Sequence, residues 1–205
     1  IVDSGKFDWA KSGKFPGLTT ADESYHGVVY TEKFGASAFI VKARVQLMRD
    51  LGSSPSPQNA FLLNLGLETL HLRMRAHSDN ALKVAQFLEN DSRVSWVNYP
   101  GLTSSPYKDL VQKYLPNGTS GVISFGVKGG RDAAMHVLDN LKIAAIVTHV
   151  ADARTCALHP ASTTHRQMTA QQLAECGIGE DLIRLSVGIE NAEDIIADLD
   201  QALHA

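Results

Sequence analysis

IRLSVGIENAEDIIADLDQAL, residues 183–203, passes from a strand to a helix, and that passage decides the fold. Over residues 182–187 the apolar Ile183, Leu185 and Val187 alternate with Arg184 and Ser186, as in a strand with one face on a core. Residues 191–204 then read as a helix. Arg184 points to the face opposite the apolar side chains. A guanidinium there, close to a hydroxyl-rich turn, can hold a carboxylate through two parallel hydrogen bonds. The plainer alternative is a surface arginine on an exposed face.

Upstream the same alternation of types recurs. Strands are expected at 94–99 and 122–127, helices at 106–115 and 132–141, short extended pieces at 146–149 and 155–158, and a helix at 169–176. Strands and helices interleaved at these lengths predict a small α/β domain, a sheet covered by helices on one face. Before it, apolar spacing from Asn59 to Asn90 predicts one long helix bridging two domains, with Ser56 placed as an N-cap ahead of Pro57. Another helix is expected from Gly35 to a stop at Leu51-Gly52, and residues 5–35 show no sustained period. Ile1-Val2 reads as the end of a buried strand, so the chain is expected to begin in mid-domain.

The chain has 205 residues, a formal net charge of -3 and 44% apolar content. That balance offers no positive field for nucleic acid or an anionic membrane, and no run approaches the length of a membrane span. Cys156 and Cys176 form neither a CxxC pair nor a disulfide framework, which predicts buried free thiols in a reducing cytoplasm. Asn117-Gly118-Thr119 matches a glycosylation sequon but reads as a turn.

Two other constellations carry weaker chemistry. Gly126, Gly129 and Gly130 precede a helix start where a phosphate could sit, yet they fit neither a P-loop nor GxGxxG and read as turns. His149, His159 and His165 with Asp152 could be arranged around a metal, but no paired spacing supports it; loop-ordering histidines are expected instead, and no metal. The segment HPASTTH, residues 159–165, is either a surface turn or the mouth of a pocket for a small polar substrate.

Three stretches, GLETLHLRMRAHSDNA (66–81), VADARTCALHPASTTHRQM (150–168) and the opening IRLSVGIENAEDIIADLDQAL, closely resemble the C-terminal half of the Cys/Met-metabolism enzymes that use pyridoxal phosphate. YHGVVYTEKFGASAFIVKARVQLMRDLG (25–52) is similar to their O-acetylhomoserine sulfhydrylase branch. The resemblance implies the C-terminal part of a PLP-dependent transferase fold (type I, aspartate aminotransferase-like). Residues 1–66 would be a remnant of the large cofactor domain with linker helices, and residues 67–205 the C-terminal α/β domain. In such enzymes the Schiff-base lysine lies in a serine-x-threonine-lysine segment absent here, and Lys6, Lys33 and Lys42 do not stand in that context. This chain would then hold no catalytic lysine, and pyridoxal 5'-phosphate would be bound mainly by an N-terminal half.

Carried over by motif, Arg184 pairs with the substrate's α-carboxylate, Thr164 helps frame the same pocket, and Ser162 is a neighbour. His149 stands where many sulfhydrylases have Asn, in His149-Val150-Ala151-Asp152 against Asn-Val-Gly-Asp, and would face the substrate. The implied reaction is γ-replacement on O-acetyl-L-homoserine by sulfide, giving L-homocysteine and acetate in methionine biosynthesis. Its setting is a cytoplasmic homotetramer built as a dimer of dimers. Cystathionine γ-synthase-like or methionine γ-lyase-like activity, or a non-catalytic module that binds a small carboxylate or a partner, are the alternatives. Residues 39–48 and 61–70 would ordinarily pack against the cofactor domain and are expected to leave an apolar face open.

Overall fold

The computed structural model describes all residues, 1–205, and the chain separates into two compact units, Ile1–Leu65 and Gly66–Ala205. In the first unit, α1 (Pro16–Thr19), α2 (Tyr30–Phe34), α3 (Ala38–Lys42) and α4 (Arg49–Leu51) gather around buried Leu18, Tyr30 and Ala38. The Tyr30 hydroxyl donates to Gln46 Oε1 (2.9 Å), and Lys42 Nζ donates to Asp22 Oδ2 (2.6 Å) and to the Gly17 carbonyl (2.7 Å). That ammonium and the Ser24 hydroxyl hold the Asp22 carboxyl down at about 2. The helix expected from Gly35 instead starts at Tyr30. It is interrupted at Gly35, whose φ of 51° no side-chain-bearing residue adopts cheaply, and Ala43–Met48 widens into a π-helix. Its stop at Gly52 is left-handed, φ 66°.

The single helix expected over 59–90 is two helices, α5 (Pro57–Glu68) and α6 (Leu70–Glu89). They part at Thr69, whose ψ of 4° leaves the α region; a β-branched residue soon after Gly66 makes this a weak point for helix propagation. The Ser56 hydroxyl accepts from the Asn59 N–H (3.2 Å), as its place before Pro57 predicts. Every residue of α5 is exposed, including Phe61, Leu62, Leu63, Leu65 and Leu67. α6 is one-sided: His77, Ala81, Val84, Ala85 and Leu88 are buried.

The rest of the second unit follows in the order β1 (Val94–Asn98), α7 (Lys108–Tyr114), β2 (Val122–Val127), α8 (Gly130–Asn140), β3 (Ala145–Ile146), β4 (Cys156–Leu158), α9 (Ala170–Glu175), β5 (Leu182–Ser186) and α10 (Ala192–His204). The strands form one sheet in the order β1-β2-β5-β4-β3, antiparallel except for the β3–β4 pair. Helices α6, α8 and α10 pack against one face. There Ile123, Phe125, Ile183, Leu185 and Val187 meet Val84, Leu88, Val137, Leu138, Ile195 and Leu199 in one core. Caps mark the helix starts: the Asn191 side chain accepts from Glu193 N–H (3.0 Å), and Thr169 and Gln172 form a capping box.

One buried carboxylate organises the way into β3. Asp198 on α10 accepts from three successive backbone N–H groups, Lys142 (2.8 Å), Ile143 (2.9 Å) and Ala144 (3.0 Å). The thiols divide where both were expected to be buried. Cys156 is buried inside β4, where desolvation pushes its thiol up, whereas Cys176 ends the short, exposed α9 and stays in water.

Candidate functional site: a carboxylate pocket on the open face of the sheet

Antiparallel register brings four side chains into one row on the face that the helices leave free. Asn98 pairs with Ser124, Ser124 with Arg184, and Arg184 with Leu158 across β1, β2, β5 and β4. The residues flanking the central pair, Ile123 and Phe125 around Ser124 and Ile183 and Leu185 around Arg184, are consumed by the core on the other face. A cavity of about 320 Å³ opens over this row, and its lining adds Trp96, Thr164, His165, Cys176 and Ile178.

Its walls are fixed by polar contacts. The Trp96 indole N–H donates to Asp181 Oδ2 (2.9 Å), joined by the Ser95 hydroxyl (3.1 Å). A Cβ on Gly126 would collide with all three side chains, so this glycine serves close approach rather than phosphate binding. Gly129 and Gly130, with φ of 108° and 72°, make the turn into α8.

Fully buried His159 braces the opposite wall. Its Nε2 faces the Glu180 carbonyl (2.8 Å) and must donate there, which leaves Nδ1 to accept from the Ser162 N–H (3.2 Å). The Ser162 hydroxyl lies 2.8 Å from the same Nδ1 and 3.4 Å from Met135 Sδ, and Thr163 Oγ1 donates to the His159 carbonyl (2.6 Å). Much of HPASTTH is therefore spent on its own turn, and Pro160, Thr164 and His165 line the cavity.

Of the four residues proposed from sequence, Arg184 and Thr164 share the cavity. Ser162 is turned into the turn beneath it. His149 meets Arg184 through its backbone: Arg184 Nη2 donates to the Thr148 carbonyl (2.9 Å) and reaches the His149 carbonyl at 3.4 Å. The His149 imidazole is exposed and lies 3.2 Å from Asp152 Oδ2. The Arg154 backbone and side chain, then His149, hold the Asp152 carboxyl down at about 2. The three histidines weighed as metal ligands thus have separate partners, Asp152 for His149, Glu180 and Ser162 for His159, and the Thr164 hydroxyl for His165 (2.9 Å).

The guanidinium is only partly committed. Nη2 is tied to the Thr148 carbonyl, Nε is buried without a hydrogen-bond partner, and the residue lines the cavity. One guanidinium, its Nη2 already tied to Thr148, with the Thr164 and Ser124 hydroxyls and the Asn98 amide, suits a single carboxylate. Sequence reasoning missed Trp96, Asn98 and Ser124. The signal was available for Asn98 and Ser124, polar residues alternating with apolar neighbours as Arg184 does, but their grouping needs the register.

Residues 22–204 match the family model described as Cys/Met metabolism PLP-dependent enzyme. The chain is 48% identical over 204 residues to homocysteine synthase of Schizosaccharomyces pombe, covering 99% of this chain and 48% of that protein. It is 45% identical over 203 residues to O-acetyl-L-homoserine sulfhydrylase 1 of Thermus thermophilus, covering 99% and 48%. A solved structure described as an O-acetylhomoserine (thiol)-lyase from Campylobacter jejuni, carrying a pyridoxyl-lysine monophosphate, superposes with a TM-score of 0.83 at 40% identity, covering 93% of this chain and 45% of that one. The chain spans about half the length of the relatives it matches.

Proposed function

Because the chain belongs to the Cys/Met-metabolism family of PLP-dependent enzymes, we propose that it is the carboxylate-holding part of an O-acetylhomoserine sulfhydrylase. That enzyme would replace the acetoxy group on Cγ of O-acetyl-L-homoserine with sulfide, releasing L-homocysteine and acetate. In this reading residues 1–66 belong to a large cofactor domain and its linkers, and residues 67–205 are the C-terminal domain. In the same reading the assembly is a cytoplasmic dimer of dimers.

The observation that carries the reading is the partly committed guanidinium of Arg184 beside Thr164 in the cavity. A carboxylate there accepts from the guanidinium N–H groups that face the cavity while Nη2 stays tied to the Thr148 carbonyl. Held so, the substrate cannot rotate freely about Cα, and the Cα–H bond keeps one direction during proton removal. Thr164 offers a hydroxyl at the rim, and the Trp96 ring bounds the volume open to the side chain. Pyridoxal phosphate, when bound, would supply the electron sink for the electron pair left on carbon when a proton departs. The anchors for its ring and phosphate are assigned to the rest of the enzyme, since the one guanidinium lining this cavity is taken up by Thr148 and the substrate's carboxylate.

The test is product analysis. The full-length enzyme given O-acetyl-L-homoserine and sulfide should release homocysteine and acetate in equal amounts. An oxo acid with ammonia as main products would establish elimination, and preference for cysteine over sulfide would establish cystathionine formation; either outcome overturns the sulfhydrylase assignment.

A further inference from the structure

We propose that Glu190, just beyond the arginine strand, is a positioning residue for the Arg184 clamp, acting through the loop 148–155. This inference rests on the carboxylate reading of Arg184. The guanidinium takes its direction from the Thr148 carbonyl, at one end of that loop. At the other end Thr155 is fully buried, and Glu190 grips it twice: Oε1 accepts from the Thr155 N–H (2.6 Å) and Oε2 from its hydroxyl (2.9 Å). The same hydroxyl accepts from the Gly188 N–H (2.9 Å), and the Ile189 N–H donates to the Ala153 carbonyl (2.9 Å). A Cβ on Gly188 would collide with Glu190 and with the backbone of Ala153 and Arg154, so this segment lies hard against the loop.

Glu190 is itself held from behind by α6. Asn80 Nδ2 donates to the Gly188 (3.1 Å) and Glu190 (2.7 Å) carbonyls, and His77 Nδ1 contacts the Val187 carbonyl (2.6 Å). The middle of the loop is pinned to the arginine strand, where the Ala151 N–H donates to Ser186 Oγ (3.0 Å). Ala151 adopts a left-handed φ of 58°, a conformation that alanine keeps only when its surroundings impose it. The loop is thus a strained bridge tethered at Thr155 and Ser186, and its free carbonyls aim the guanidinium. Releasing the Thr155 tether lets the bridge relax and turns the fork away from the carboxylate, while the charge of Arg184 is retained.

The experiment measures, by calorimetry on the full-length holoenzyme, the affinities of L-norvaline and of its carboxamide, which lacks the anionic carboxylate. Glu190→Ala is expected to reduce the preference for the carboxylate about tenfold, chiefly by weakening L-norvaline, as the loss of a well-oriented charged hydrogen bond does. Glu190→Gln keeps an acceptor for the Thr155 N–H and should restore most of the preference. In an Arg184→Ala background, Glu190→Ala should change nothing further. Equal weakening of both ligands, or an undiminished effect in that background, would reduce Glu190 to a structural role and overturn the inference. If Glu190→Ala does not fold, Thr155→Val, which removes the hydroxyl that Glu190 Oε2 holds, carries the same comparison. A collapse of preference in Arg184→Ala alone, with Glu190 variants unaffected, removes only the positioning role. Unchanged preference in Arg184→Ala removes the carboxylate reading, and the inference with it.

Discussion

Arg184→Ala in the full-length enzyme should lower kcat/KM at least about tenfold, the kinetic equivalent of losing a charged hydrogen bond of about 1.5 to 3 kcal/mol. The loss should fall on binding and rate together, because the same contact holds the substrate and directs its Cα–H bond. Arg184→Lys keeps the charge but lacks the fork that satisfies Thr148 and a carboxylate at once, so it should recover only part of the activity. Steady-state kinetics decides the matter: both variants within about twofold of the parent would remove Arg184 from the substrate's carboxylate.

The largest effect on stability is expected at Asp198. It is 5% exposed, and its two oxygens accept from three consecutive N–H groups, one of them buried. Asp198→Ala strips a charged acceptor from all three at once, and from the Gln201 amide that also donates to it (3.2 Å), and should cost about 3 to 5 kcal/mol. For a domain of this size that corresponds to a fall in Tm of roughly 10 °C. Asp198→Asn keeps one good acceptor and should lose about half as much. Urea melts of the variants would check this, and a shift equivalent to less than about 1 kcal/mol for Asp198→Ala would show that the 142–144 backbone finds other partners.

Local periodicity made much of the second unit legible. β2 runs over Val122–Val127 as expected, and β1, β5 and the helices that follow differ from expectation by a residue or two at their ends, where fraying and caps decide. Arg184 and Thr164 could be singled out by residue type and by family likeness. The row Asn98–Ser124–Arg184–Leu158 could not, because it depends on which strands pair and in what register, and strands adjacent in the sheet are distant in sequence. Ser162 was expected beside Thr164 at the pocket, as the weaker neighbour of the two. What separates them is the buried imidazole of His159, whose fixed hydrogen at Nε2 leaves an acceptor that draws in the serine. The break at Thr69 was hidden for a different reason: apolar spacing continues across it, and a single ψ value carries no signature in that pattern.

Helix α5 has a consequence for when order is reached. Its twelve residues bury no side chain of their own, and apolar groups point outward on every side. A helix of that length without a packed face is marginal in water, since its nucleation cost is repaid only by tertiary contact. Its backbone hydrogen bonds therefore become durable when something covers Phe61, Leu63 and Leu67, and its amide protons exchange with solvent on the schedule of that covering event. Protection of residues 57–68 in hydrogen exchange would then report any event that covers these side chains, independently of the core that α6, α8 and α10 form with the sheet.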